Sequence, residues 1–286
     1  MSEQQQPAGW SDEERIRRWI AGARQREGQM IPVTEELFDA VVLRPGETVL
    51  DVGCGTGPTT VRAAALVGPA GRVVGADLAP AMVEVARQAT AGDPDAAQIE
   101  WLTADAQTYD FGTATFDAVI SRFGVMFFSD PVAAFTNLGL ATKPDGRLTM
   151  AIWQTRDRVP LFDIPYRTAA EVLDRRGLAY EPVAIDDNQT SLGTVQHVRS
   201  VLESAGWSQI EVRPTVRTLH VAGQLTPAEA AAEALDIGPI RGLLDGRPDD
   251  VRDEVRAALA EQFAPRYDGV GVVVDGGYMI VTARRH

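Results

Sequence analysis

Three glycines at alternate positions, directly after a short apolar run, constrain this chain more than any other feature. The run, Thr48–Val52, is rich in β-branched residues and predicts a buried parallel strand. Gly53, Gly55 and Gly57 follow at once, and glycine permits a left-handed backbone and a close approach to a ligand. The next stretch, Pro58–Val67, predicts a helix whose free N–H groups face whatever the turn holds.

An acidic residue one strand further along completes the pattern. Residues 72–76 predict a second strand, and Asp77 stands at its end, 20 residues after Gly57. At the carboxyl edge of a doubly wound sheet, a carboxylate in this place can accept hydrogen bonds from ribose hydroxyls. The glycines and the acid together indicate a site for a nucleoside cofactor. A tight strand–helix turn without a ligand is the alternative.

The spacing of the glycines discriminates between nucleotide-binding loops. A dinucleotide-binding fold needs the spacing G-x-G-x-x-G, but this chain has G-x-G-x-G after Asp51. A P-loop needs Gly-Lys-Ser/Thr, but here Pro58 follows Gly57. The stretch VLDVGCGTG instead resembles the first motif of class I S-adenosylmethionine (SAM)-dependent methyltransferases. The resemblance implies that the glycine loop passes under the methionine part of SAM and that Asp77 holds both ribose hydroxyls.

Later motifs extend the resemblance. The resemblance implies that Leu78 covers one face of the adenine and that Met82 lies near the ribose. Helix packing is the alternative role for Met82. The resemblance assigns the adenine amino group to Asp105 and a ring nitrogen to the N–H of Ala106, although Asp105 could instead cap a turn. The cofactor is then SAM, with S-adenosylhomocysteine (SAH) as product. The implied cofactor contacts are Asp51, Gly53, Cys54, Gly55, Thr56, Gly57, Asp77, Leu78, Met82, Asp105, Ala106 and Ser121.

The segment SRFGVMFFSDP, after the predicted fourth strand, is similar to a motif of a bacterial small-molecule branch related to the ubiquinone/menaquinone C-methyltransferases. Apolar side chains beside the methyl donor would exclude water and hold a lipophilic acceptor. Core burial is the alternative for part of this set. The candidate acceptor-binding residues are Trp19, Phe123, Met126, Phe127, Phe162 and Tyr166.

The order of the predicted elements, together with the resemblance, predicts an α/β fold. We expect a doubly wound, seven-stranded, mostly parallel, Rossmann-like sheet with N-terminal helices and a helical substrate lid inserted after the fifth strand. Separate N-terminal helices are predicted at 12–25 and 33–42, and Gly276-Gly277 predicts a hairpin or bulge in the last strand. The expected parts are 1–42 (N-terminal tail and cap helices), 43–155 (SAM-binding core), 156–194 (substrate lid) and 195–286 (rest of the core with a helical insertion).

Charge and composition narrow the choice of partners. A formal net charge of −13 argues against nucleic acid, whose phosphates need a basic face. Cys54 is the only cysteine, which excludes an intrachain disulfide and a cysteine-based metal site, and we expect no metal. A polar N-terminus and the lack of an 18-residue apolar run predict a cytoplasmic protein without a membrane partner. The sequence leaves open whether the protein forms a homo-oligomer.

The resemblance implies an enzyme that moves a methyl group from SAM to an oxygen, carbon or nitrogen nucleophile of a small molecule. Phenolic, quinone-like and natural-product acceptors all fit. No acid–base dyad is visible in the sequence, so catalysis by proximity is expected, and the candidates for a base are Asp163, Tyr166 and His197. A protein that binds SAM or SAH without transferring methyl is the second hypothesis. A nicotinamide dehydrogenase, the third, is disfavoured by the glycine spacing.

Overall fold

One seven-stranded sheet organises the computed structural model, which describes residues 16–17, 20–96, 98–186 and 190–285. The sheet has the strand order β3-β2-β1-β4-β5-β7-β6, in which β1 to β5 are parallel and β7 is antiparallel to both of its neighbours. The predicted doubly wound, mostly parallel sheet is therefore confirmed. The strands are β1 (Thr48–Val52), β2 (Arg72–Asp77), β3 (Ile99–Thr103), β4 (Phe116–Arg122), β5 (Thr142–Trp153), β6 (Trp207–His220) and β7 (Val273–Arg285).

Helices pack against the sheet and lie in most of the connections between its strands. Short 3₁₀ turns occur at Pro94–Ala96, Val125–Phe127, Arg156–Arg158 and Ala264–Arg266. Of the residues that can be described, none form a helix both long and apolar enough to cross a membrane. The α-helices with full bounds are α1 (Ala23–Val41), α2 (Pro58–Val67), α3 (Pro80–Ala89), α4 (Pro131–Ala141), α5 (Pro160–Arg175), α6 (Val195–Ser204), α7 (Pro227–Ala234), α8 (Ile240–Leu244) and α9 (Asp249–Phe263).

The strand order creates the crevice in which a ligand can bind. The chain turns from β1 to β2 on one side and returns on the other side as β4, so that β1 and β4 are neighbours. Ligands of open α/β sheets bind outside the carboxyl ends of the strands at such a switch point. Val49, Leu50 and Val52 of β1 are almost completely buried, which fixes the strand end that carries the glycines.

The second N-terminal helix is longer than predicted. Helix α1 spans Ala23–Val41 and continues through Pro32, whereas the prediction was 33–42. Of the first predicted helix, 12–25, residues 16–17 and 20–21 are helical, while 12–15 and 18–19 lie outside the described residues. Proline removes a helical hydrogen bond, but Val33, Leu37 and Val41 form a buried stripe on α1 that stabilises the continuous helix.

The prediction of a hairpin or bulge at Gly276-Gly277 is wrong. Both glycines lie within β7 and pair regularly with Arg217 and Val216 of β6. A Cβ on Gly277 would stand 2.3 Å from the carbonyl oxygen of Arg158, so glycine is needed for space at this position. Because Gly277 has no side chain, the segment that contains Arg158 can pack directly against this face of the sheet.

Two helical segments interrupt the later strands. The expected insertion after β5 contains α5, and a second insertion between β6 and β7 contains α7, α8 and α9. Helix α7 begins with a capping box, because Glu229 accepts from the N–H of Thr226 while Thr226 accepts from the N–H of Glu229. Both insertions contribute to the wall of the cavity described next.

Candidate functional site

The glycine loop crosses the end of the sheet in a left-handed conformation. Gly53, Gly55 and Gly57 have φ values of 68°, 56° and 91°, which residues with a Cβ rarely adopt. A Cβ on Gly57 would lie 2.4 Å from the ring of Trp101, whereas one on Gly55 would meet nothing within 4 Å. Gly57 thus packs into the fold, while Gly55 leaves free space on the ligand side.

Asp77 ties the loop to the end of β2. Its Oδ2 accepts from the N–H of Gly55 at 2.8 Å, and its Oδ1 accepts from the N–H of Ala79 at 2.9 Å. Desolvation raises the pKa of Asp77, although these backbone hydrogen bonds oppose the shift. The carboxylate is therefore held rigidly at the place where the sequence predicts a ribose contact.

Asp51 lies beneath the loop and off the cavity wall. Its Oδ2 accepts from the hydroxyls of Thr59 at 2.6 Å and Thr60 at 2.7 Å, which fastens the first turn of α2 to β1. Its Oδ1 has no hydrogen-bond partner among the residues with described positions. Complete burial raises the pKa of Asp51 to about 6, despite the two hydroxyl donors.

The pH dependence of stability should therefore change in Asp51→Asn. The folded protein retains the proton of Asp51 up to about pH 6, whereas the unfolded chain releases it near pH 3.8. This contribution to stability is complete below pH 3.8 and is lost as the pH rises through 6. Between pH 4 and pH 7 the wild type should lose about 2–3 kcal/mol relative to the variant. Denaturant unfolding at each pH measures this difference, and parallel stability curves would contradict the assignment.

One cavity of about 880 Å³ opens along the switch point. Phe162 of the insertion after β5 and residues 235–242 of the insertion between β6 and β7 line it. Most of the residues that the sequence singles out also line it: Gly53, Cys54, Gly55, Thr56, Asp77, Leu78, Met82, Asp105, Ala106, Phe123, Met126 and Phe127.

Several of these residues also have a structural role. Asp105 caps its own turn by accepting from the N–H of Gln107 at 2.9 Å, as the alternative interpretation expects. Met82 is buried and packs with Ile16 and Ala79. Burial raises the pKa of the Cys54 thiol, so the neutral thiol is the stable form on the loop.

Ser121 joins the glycine loop to the segment after β4, and it does not line the cavity. Its buried hydroxyl donates to the carbonyl of Val52 at 2.7 Å and accepts from the N–H of Gly124 at 3.2 Å. A Cβ on Gly124 would lie 2.5 Å from the Val52 oxygen and 2.7 Å from Gly53 Cα. Sequence reasoning missed Gly124, although the only glycine of the SRFGVMFFSDP segment was a usable signal.

Aromatic rings line the far wall of the cavity. Phe123 has a φ of 62°, and its ring stacks on Trp153 with centroids 4.0 Å apart and an interplanar angle of 4°. Phe162 meets Trp153 edge to face at 5.3 Å. The left-handed conformation of Phe123 costs about 1–3 kcal/mol, which the surrounding packing must offset. Sequence reasoning missed Trp153, because a strand-end tryptophan has no local signal for its partner.

The structure does not bring the candidate bases to the cavity. Asp163 forms an ion pair with the nearly buried Arg156 at 3.4 Å, and His197 is exposed on α6. Tyr166 is buried: its ring lies under the Arg156 guanidinium at 3.7 Å, and its hydroxyl accepts from the N–H of Val183 at 3.0 Å. A buried guanidinium needs these partners, which explains why the two side chains turn away from the cavity. Trp19 lies outside the described residues.

We expect Tyr166→Phe to lower the free energy of unfolding by about 1 kcal/mol, because the N–H of Val183 loses its acceptor. SAH affinity should not change. Thermal unfolding and titration calorimetry measure the two quantities. Tyr180→Phe is the matched control, because among the described residues that hydroxyl hydrogen-bonds only with Asp174, at 3.5 Å and in an exposed position. A thousandfold loss of turnover with normal SAH binding would instead return Tyr166 to a catalytic role.

A seven-stranded sheet of this order, with a glycine loop and a strand-end acid at its switch point, defines a Rossmann-like nucleoside-binding class. Residues 49–146 match the family model of a methyltransferase domain. The chain is 37% identical over 106 residues to a ubiquinone/menaquinone biosynthesis C-methyltransferase of Teredinibacter turnerae, an alignment that covers 37% of this chain and 43% of that relative. The chain thus spans less than half the length of this curated relative.

A longer match decides the family. The chain is 30% identical over 182 residues to a demethylmenaquinone methyltransferase of Clavibacter sepedonicus, which covers 61% of this chain and 71% of that relative. It therefore belongs to the class I SAM-dependent methyltransferases, in the branch related to the ubiquinone/menaquinone C-methyltransferases. A solved phosphoethanolamine N-methyltransferase of Haemonchus contortus shares the fold, with a TM-score of 0.53, 18% identity and coverage of 89% of this chain and 52% of that one.

Proposed function

We propose that this chain is an enzyme that transfers the methyl group of SAM to a small-molecule acceptor. The observation that carries the proposal is one cavity with the glycine loop and Asp77 in one part of its wall and stacked aromatic rings in another. Small-molecule and cofactor sites occupy about 300–1,000 Å³, so a volume of about 880 Å³ lies near the upper end of that range. The similarity to a C-methyltransferase supports the proposal.

The residues present fit SAM. The open face of Gly55 lets a ligand approach the backbone, and the neighbouring helix α2 directs free N–H groups toward the loop. Asp77 uses one lone pair of each carboxylate oxygen for the backbone, so the remaining lone pairs can accept from two ribose hydroxyls. Asp105 and Ala106 would contact the adenine, and Leu78 would cover one of its faces.

The protein contributes to the reaction by positioning the two reactants and by excluding water from the cavity. When bound, SAM supplies an electrophilic methyl group, whose bond to sulfur breaks as the bond to the acceptor nucleophile forms, leaving SAH. Phe123, Met126 and Phe127 would hold an aromatic or quinone-like acceptor against this group. Orientation of this kind can lower a barrier by about 7–11 kcal/mol without a general base. None of the three candidate bases lines the cavity, which supports catalysis by proximity.

Titration calorimetry of the full chain with SAH, followed by transfer from methyl-labelled SAM to phenolic and quinol acceptors, tests the proposal. We expect SAH to bind and label to appear in at least one acceptor. A lack of SAH binding would overturn the proposal. SAH binding without transfer to any acceptor would favour a binding protein, and binding of NADH in place of SAH would favour a dehydrogenase.

A further inference from the structure

The cavity is larger than the part that the glycine loop lines. Residues 235–242, from the insertion between β6 and β7, line a further part of the same cavity. The sequence expectation placed the acceptor lid at 156–194, whereas this second segment adds charged side chains to the wall. These charges bear on which acceptors the cavity can hold.

The aromatic part of the wall favours a flat molecule. Phe123 and Trp153 are parallel to within 4°, and Phe162 closes one side of Trp153 edge to face. Aromatic rings prefer stacked or edge-to-face partners and gain about 0.5–1.5 kcal/mol from such contacts beyond area burial. A planar ring system is therefore the complementary shape.

Most of the cations on the wall are already engaged within the protein. Arg122 donates to both carboxylate oxygens of Glu27, at 2.7 and 2.5 Å. Arg252 lies 3.6 Å from Asp236 and donates to a backbone carbonyl. Arg26 packs over Gly22, in the electrostatic field of a glutamate on α7.

Arg241 is different. It is half-buried and lines the cavity, but its guanidinium has neither a hydrogen bond nor an ion pair with any residue whose position is described. Asp245, one turn later and exposed, also lines the cavity without forming an ion pair with it. A half-buried guanidinium retains five donors in a planar fork, and this fork matches a carboxylate in bidentate geometry.

We propose, on the basis of the function proposed above, that Arg241 binds a carboxylate of the methyl acceptor, which is therefore an aromatic acid. The planar rings stack in the aromatic part of the cavity, and the acid group pairs with Arg241. Anchoring by Arg241 selects the acceptor and fixes its orientation, whichever of its atoms receives the methyl group. The role of Arg241 is thus acceptor recognition.

Two probes of equal shape test this assignment. 2-Naphthoate and 2-naphthamide have the same ring system and differ chiefly in charge, and each is titrated calorimetrically into the full chain with and without saturating SAH. We expect wild type to bind the naphthoate at least tenfold more tightly than the naphthamide. Arg241→Gln should remove this preference by weakening the naphthoate alone, and Arg241→Lys, which keeps the charge without the fork, should show an intermediate loss.

Asp245→Asn is the matched control, because it changes a charge on the same turn and the same wall. It should leave the preference for naphthoate in place. Thermal unfolding of each variant shows whether the fold is intact. Equal affinities in wild type, a preference that survives in Arg241→Gln, or failure of both probes to bind would overturn the assignment.

The two proposals fail separately. SAH binding without any preference for naphthoate would overturn the role of Arg241 and leave the methyltransferase proposal standing. If the chain does not bind SAH but prefers naphthoate in a way that depends on Arg241, the methyltransferase proposal is overturned and carboxylate binding by Arg241 stands.

Discussion

Gly124→Ala is expected to weaken SAH binding about hundredfold and to lower the free energy of unfolding by about 3 kcal/mol. Gly124 has a φ of −93°, which alanine adopts without strain, so the effect comes from space alone. The new methyl group would lie 2.5 Å from the Val52 oxygen and 2.7 Å from Gly53 Cα. Backbone atoms cannot move aside as a flexible side chain can, so the glycine loop itself must shift.

Gly28→Ala is the matched control for this substitution. Gly28 lies within α1, and a Cβ there would meet nothing within 4 Å, so the variant should be as stable as wild type or more stable by up to about 1 kcal/mol. Titration calorimetry with SAH and denaturant unfolding measure both variants. Normal SAH affinity in Gly124→Ala would mean that the contact between the two loops does not position the ligand.

Asp77→Ala should weaken SAH by about 2–4 kcal/mol, because two ribose hydroxyls lose a charged acceptor and the N–H of Gly55 loses its own. Asp77→Asn keeps one acceptor oxygen and should lie between the wild type and the alanine variant. Calorimetry with SAH at constant pH measures the three affinities.

Asp130→Ala is the matched control for Asp77→Ala, because it removes a carboxylate that lies outside the cavity. Asp130 also accepts from a backbone N–H, that of Ala133 at 2.9 Å, but it caps α4 away from the cavity. The variant should lose about 1 kcal/mol of stability and no SAH affinity. Unaltered SAH binding in Asp77→Ala would refute the ribose contact.

Local sequence patterns predict the part of the site that lies at strand ends. The bounds of β1 agree with the prediction at 48–52, and the glycine loop and Asp77 meet because parallel strands end at one edge of a sheet. Buried runs, turn glycines and strand-end acids are properties of adjacent residues. For this reason they can be read without knowledge of the packing.

The part of the cavity away from the glycine loop depends on contacts between distant segments of the chain, which the sequence alone does not show. Asp163 and Tyr166 lie on a helix with several aromatic and charged residues, and the buried Arg156 decides which of them turn away from the cavity. Trp153 and Arg241 are remote from each other in sequence and meet the cavity only through the strand order and the second insertion. No local pattern carries this information.

The strand order also has a consequence for biosynthesis. In the sheet, β6 is an edge strand that touches only β7, although it precedes β7 in the chain by the whole second insertion. A nascent chain that leaves the ribosome therefore presents β6 without a pairing partner until the residues of β7 emerge. Residues of the segment 235–242 line the cavity and lie between β6 and β7, so this part of the wall is synthesised before the strand that joins β6 to the sheet.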